Sequence, residues 1–260
     1  MTQLPTAVLG VLIISSAVLL AVAGAALTQR RVPLEVRNAH TVPLSLINGG
    51  LNVMFGVIVG FTSFIVLSQY RVAQQTVQSE AGDLEEIYKL AESLPQPKRE
   101  HIQGLIASYI RVVVDEGWPL MRRGVWSPRA DALVDELRKS IQEGYKTSTG
   151  AEQQFFAEEL SVMDDLDKDR EVRLLALRQH LPAILWFALV VLATTTIGFS
   201  YLLGMESRRL HLLSVAALTT SIVLVLFTIF VLDRPFGTDF QVGPQPFDLV
   251  LHELRVKDAQ

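Results

Sequence analysis

Residues 43–69 read PLSLINGGLNVMFGVIVGFTSFIVLSQ, with no charged side chain anywhere in the run. About 20 helical residues rising 1.5 Å each cross a hydrocarbon core of about 30 Å, so this stretch is long enough to span a bilayer. Three further apolar stretches, 5–27, 182–204 and 210–232, have comparable length. They fall into two pairs separated by a polar block from Arg71 to Leu181. The pattern predicts an all-α membrane protein with four transmembrane helices and a helical-bundle insert between the second and third. Residues 1–70 form the first transmembrane hairpin, 71–181 a soluble helical stalk, 182–232 the second hairpin and 233–260 a C-terminal surface tail.

Composition agrees with that division. Half the residues are apolar and only 19% are charged, as expected when much of the chain lies in lipid. The chain has no cysteine, which excludes a disulfide framework, a thiolate nucleophile and a sulfur-rich metal site. Its net charge is -4 and its basic residues are interspersed with acidic ones, so no nucleic acid is expected as a partner. Ala21-Val22-Ala23-Gly24-Ala25 looks like a signal-peptidase site. Met1 to Thr6 nevertheless carries no basic segment, and the run from Ala7 to Leu27 exceeds the roughly 7–15 residues of a signal core. The first stretch is therefore expected to be a retained span.

Basic residues near span ends tend to stay in the cytoplasm. The loop after the first span holds Arg30, Arg31 and Arg37, and the loop between the third and fourth holds Arg208 and Arg209. Both termini and the insert are then extracytoplasmic, although Lys168, Arg170, Arg173 and Arg178 before the third span reduce the contrast.

The insert reads as helices. From Arg71 to Leu94 the second span continues without a proline, and Ala73, Val77, Leu84, Ile87, Tyr88 and Leu94 share one side. Gly82 is a mild interruption. Pro95 and Pro97 enforce a turn, and Ile102, Leu105, Ile106, Tyr109, Ile110 and Val113 form the next stripe, which Gly117-Trp118-Pro119 is expected to end. Ser127-Pro128 opens another helix, with Ala132, Leu133, Leu137, Ile141 and Tyr145 facing inward. A loop over Thr147-Ser148-Thr149-Gly150 precedes a last helix carrying Phe155, Phe156, Leu160, Met163, Leu166, Val172 and Leu175.

Small and polar residues recur along the second span: Ser45, Asn48, Gly49, Asn52, Gly56, Gly60 and Ser63. Side-chain amides in a bilayer need partners or water, which directs Asn48 and Asn52 toward protein or an aqueous path. Ser45, Asn48, Asn52, Gly56 and Ser63 are the pore-lining candidates, while Gly56 and Gly60 form a G-x-x-x-G spacing suited to close helix packing. Packing and pore lining remain open as alternatives, and both hold if identical helices surround an axis. Thr194, Thr195 and Thr196 in the third span and Thr219, Thr220 and Ser221 in the fourth can bond back to their own helices. No ionisable group is expected at depth, which favours passive conduction over coupled transport.

Other charged groups read as surface features. Asp164-Asp165-Leu166-Asp167-Lys168-Asp169 lacks the glycine and closing glutamate of a calcium loop, and its carboxylates spread around the helix. Glu85-Glu86 and Glu158-Glu159 are likewise expected on solvated faces. His40, His101, His180, His211 and His252 show no paired metal spacing, and His180 and His211 are expected at the membrane interface. With no phosphate loop, nucleophile elbow or zinc signature, neither an enzyme nor a metal or cofactor is expected. After the last span, Asp233, Arg234, Pro235 and Phe236 begin the tail. Asp233 and Arg234 are candidates for a local pair or cap, and Phe236 and Phe247 for anchors against helices or headgroups.

That ending, the basic loop before the Asn- and Gly-rich span, Ser79-Glu80-Ala81, Leu94-Pro95-x-Pro97 and Glu116-Gly117-Trp118-Pro119 together resemble the bacterial bestrophin-like membrane proteins. The resemblance implies kinship with the bestrophin anion channels, ring-shaped oligomers with a central pore. Pro235-Phe236-Gly237-Thr238-Asp239-Phe240 is similar to the start of the bestrophin calcium clasp but lacks its acidic run. The aromatic pore neck has no counterpart, so neither calcium gating nor chloride selectivity carries over. The combined expectation is a homo-oligomeric channel or channel-like protein of a bacterial cytoplasmic membrane. Its expected partners are membrane lipid, sister copies and a permeant inorganic ion. The alternative is a non-conducting membrane scaffold or envelope sensor acting through the insert.

Overall fold

The computed structural model describes residues 5–237 and 242–258, with side chains through Leu254. Among these residues the chain is helical, with no strand. The elements are α1 (Thr6–Arg31), α2 (Leu34–Ala91), α3 (Lys98–Val112), a π-helical turn (Val113–Gly117), α4 (Trp118–Met121), α5 (Pro128–Thr147), α6 (Ala151–Ala176), α7 (Ala183–Ser200), α8 (Arg208–Leu232) and α9 (Gln245–Asp258). Four of them, α1, α2, α7 and α8, are long and apolar enough to cross a membrane. The chain divides into two compact units, Met1–Ser68 with Leu181–Asp233, and Gln69–His180 with Arg234–Gln260.

The first unit is the membrane unit. Gly10 and Gly24 of α1 lie against the rings of Phe227 and Tyr201, and Ala21 and Ala25 pack with Val215 of α8. Small residues serve here because close backbone approach, rather than water exclusion, holds helices together in lipid. A second cluster joins Phe55 and Val66 of α2 to Leu189 and Ala193 of α7 and to Ile222 and Ile229 of α8. Hydroxyls bond back along their own helices, as with Thr194 to the Val190 carbonyl at 2.8 Å and Thr219 to the Val215 carbonyl at 2.8 Å. Thr196 Oγ1 is buried without a partner.

Helix α2 is 58 residues long and begins at Leu34, nine residues before the apolar run. Pro43 lies within it and removes the donor for the Ala39 carbonyl. Gly82 does not interrupt it.

The second unit is built on one core. Ala73, Val77, Leu84, Ile87 and Ala91 from α2 meet Ile106, Tyr109 and Ile110 from α3, Leu137 and Ile141 from α5, and Phe156, Met163 and Leu166 from α6. Three details depart from the periodicity. The third helix does not end at Gly117-Trp118-Pro119: Pro119 has no N–H for the Asp115 carbonyl, and the backbone widens into a π turn in which the Trp118 N–H reaches the Val113 carbonyl. The chain leaves the helix after Met121, through a turn that ends at Gly124, whose φ of 72 suits glycine. On α5 the inward residues are Ala130, Val134, Leu137, Ile141 and Gly144, whereas Ala132 and Tyr145 are exposed. The small residues at both ends let neighbouring helices approach, which rotates the face away from Tyr145. On α6, Val172 and Leu175 are exposed, while Glu159 and Arg173 are buried.

The segment after α8 is not a surface tail. Phe236, Val242, Phe247, Val250 and Leu254 belong to the core of the second unit, and Phe236 and Phe247 pack edge-on against Trp118. The Trp118 indole N–H donates to the Val242 carbonyl at 3.0 Å. Thr238, Asp239 and Phe240 lie outside the described residues.

Gly144 supplies a stability test. A methyl group there would sit 2.8 Å from Phe156 Cδ1 and closer still to Cε1 and Cζ, and the ring is fully buried beneath Lys98. Gly144→Ala is expected to destabilise the second unit by about 1–3 kcal/mol through overpacking. Thermal unfolding should also show partial recovery when Phe156→Leu is added.

Candidate functional site

At about 100° per residue, Asn48, Ser45, Asn52, Ser63, Gly56 and Gly60 lie within roughly 120° of arc around α2. The line through Phe55, Thr62 and Val66 is buried within the protomer. The polar stripe flanks it, with Asn48, Asn52 and Ser63 half-buried and Ser45, Gly56 and Gly60 exposed. Gly49, Gly56 and Gly60 have open space where a side chain would be. Asn52 Nδ2 donates to the Asn48 carbonyl at 2.8 Å, and Ser45 Oγ donates to the Val42 carbonyl at 2.7 Å. Asn48 Oδ1 is shielded and accepts nothing. Leu46, Val53 and Phe64, across the helix from the buried line, are about 70% exposed, as expected of a lipid-facing surface.

A buried polar node closes one end of the membrane unit, where side chains near span ends had been expected to be interfacial. His211 is 2% exposed and Arg37 7%. His211 Nε2 lies 3.0 Å from the Ser200 carbonyl, which only accepts, so Nε2 carries the proton. Nδ1 then accepts from Gln29 Nε2 at 2.9 Å and faces an Arg37 terminal nitrogen at 3.4 Å. The same guanidinium reaches the Leu203 carbonyl at 3.5 Å, and its Nε has no partner. The α7–α8 turn seats Gly204 against α2. Its N–H donates to Thr41 Oγ1 at 3.0 Å, and a Cβ there would overlap Asn38.

The tail-motif residues separate. Asp233 is buried and accepts the Leu181 N–H at 2.7 Å, joining the end of α8 to the start of α7. Arg234 is exposed, whereas Pro235 and Phe236 are buried in the second unit. Phe236 meets Trp118 there. Beside Trp118 lies the pair Glu80–Arg173: Arg173 Nε donates to Glu80 Oε2 at 2.6 Å and a terminal nitrogen to Oε1 at 2.9 Å. The Tyr109 hydroxyl donates to the same Oε1 at 2.6 Å, and the guanidinium stacks over Trp118 and Phe247. Three sequence-remote motifs, around Glu80, Trp118 and Phe236, therefore meet at one buried ion pair.

The acidic run on α6 is a surface network. Arg138 bridges Asp164 and Asp167, and Lys168 bonds Asp165 at 2.8 Å. Glu85 pairs with Lys89. Glu159 corrects the expectation of a solvated face: it is fully buried, and both carboxylate oxygens lack partners among the described residues. Among the described residues no cluster of three His, Asp or Glu could hold a metal ion. His180 is exposed.

The helices and their stripes define a four-span, all-helical membrane protein with a separately packed helical unit. A family model described as a Bestrophin-like domain matches residues 16–247. The chain belongs to the bestrophin-like family. No curated protein and no solved structure matches it.

Proposed function

We propose that the protein is a homo-oligomeric, channel-like protein of a bacterial cytoplasmic membrane. It conducts ions passively along a path lined by α2, with the Arg30–Arg31 and Arg208–Arg209 turns in the cytoplasm. The supporting observation is the unfilled stripe on α2: open glycines at 49, 56 and 60 beside exposed Ser45 and half-buried Asn52. The amide and hydroxyl are costlier against acyl chains than against water or a sister helix, and the open glycines leave room for either. Four spans enclose too little space for an aqueous path, so several copies must surround it. Chemistry at this stripe is non-enzymatic, because amides and hydroxyls here coordinate and hydrate rather than transfer protons.

Planar-bilayer recording on the purified oligomer tests this. Wild-type protein should carry current, and Asn52→Leu should lower unitary conductance severalfold. Phe61→Leu, across α2 from the stripe and 70% exposed, should leave it unchanged. A stable monomer in mild detergent, or an oligomer that carries no current, would reject conduction. The second result would favour a scaffold or sensor acting through the second unit.

A further inference from the structure

We propose that Arg37, at the turn-bearing end of the membrane unit, binds the phosphate of an anionic lipid headgroup. Arg37 is 7% exposed, yet it makes no ion pair among the described residues. Among the described residues its side chain meets only a carbonyl and an imidazole nitrogen, at 3.5 and 3.4 Å, and its Nε is buried and unbonded. A guanidinium withdrawn from water is strongly destabilising unless an anion accompanies it. The described residues provide none.

The surroundings point to an anion from outside the chain. The Gln29–His211 hydrogen bond ties the end of α1, which carries Arg30 and Arg31, to the first turn of α8, which carries Arg208 and Arg209. All four of these arginines are exposed. The nearby acids, Glu35 and Glu206, are exposed and form no ion pair among the described residues. This end of the spans lies at headgroup depth, because the apolar runs of α1 and α8 terminate there. A phosphodiester offers two acceptor oxygens at that depth, which suits the guanidinium fork, and the outer arginines add long-range attraction. The site is independent of whether α2 conducts.

The full chain in neutral detergent is doped separately with phosphatidylglycerol, with phosphatidylcholine, or with phosphatidylcholine plus inorganic phosphate. Native mass spectrometry should show phosphatidylglycerol retained about tenfold over phosphatidylcholine, as expected for charge-assisted bonds. Only that lipid should raise the unfolding midpoint. Arg37→Met removes the uncompensated charge, so it should match or exceed wild type in phosphatidylcholine and fall below it in phosphatidylglycerol. A purely structural arginine would leave wild type above the variant in both, and that result overturns the proposal. Equal retention of the two lipids overturns it too, as does equal stabilisation by inorganic phosphate, which assigns the site to a soluble anion. Should Arg37→Met give no folded protein, Arg37→Lys keeps the charge without the fork. Unchanged lipid retention by that variant would then overturn the assignment.

Discussion

Arg173→Met is expected to destabilise the second unit by about 3–5 kcal/mol, enough to abolish a well-behaved protein at ordinary temperature. Glu80 has no exposed side-chain surface and Arg173 only 4%. Removing the guanidinium strands a carboxylate among Tyr109, Trp118 and Phe247, while Glu80→Gln strands the guanidinium instead. The loss comes from the unpaired charge rather than from the strength of the pair, so the double substitution Glu80→Met with Arg173→Met should be more stable than either single change. Arg173→Lys should not rescue, since an ammonium cannot supply the two-point bond to both oxygens of Glu80. Thermal unfolding of wild type, Glu80→Met, Arg173→Met and the double variant in detergent gives the comparison. Additive losses in the double variant would show that the two side chains do not act as a pair.

Glu159→Met is expected to stabilise the protein, increasingly so as pH rises. The carboxyl is fully buried, and burial pushes its pKa from about 4.5 up to about 8. Between those values the folded state keeps a proton that the unfolded state has released. The folded state therefore binds more protons, and stability falls as pH climbs through the window. Below it the group contributes nothing to the pH dependence. Above it the penalty is complete, on the order of 5 kcal/mol. The unfolding midpoint of wild type should fall more steeply from pH 5 to pH 9 than that of Glu159→Met, with the curves converging at the acid end. Parallel curves would mean that the carboxylate is hydrated or paired in the folded protein.

These two sites were partly legible from spacing. On α6 the buried positions Phe156, Glu159, Met163, Leu166 and Arg173 follow three-, four- and seven-residue steps, and on α2 Glu80 stands on the line of Ala73, Val77, Leu84 and Ile87. A charged residue on an apolar stripe signals a buried charge, but the stripe does not name its partner. Glu80 found Arg173 across 93 residues, whereas Glu159 found none. The same ambiguity hid Arg37 and His211, because a basic residue at a span end reads equally well as a topological signal or as a buried group.

Hydrophobic length and periodicity alone determined the four spans, the continuation of the second helix beyond its apolar run, and the helical character of the intervening block. Those features depend on the chain's local balance of apolar burial and backbone hydrogen bonding, which neighbouring residues set. Tertiary packing decided what local pattern leaves degenerate. It drew Phe236 and Phe247 into the core beside Trp118, turned Tyr145 outward, widened the helix ahead of Pro119 and enclosed Arg37 without an acid. Each outcome rests on contacts between residues far apart in the chain, and their energies have no counterpart in the spacing of nearby side chains.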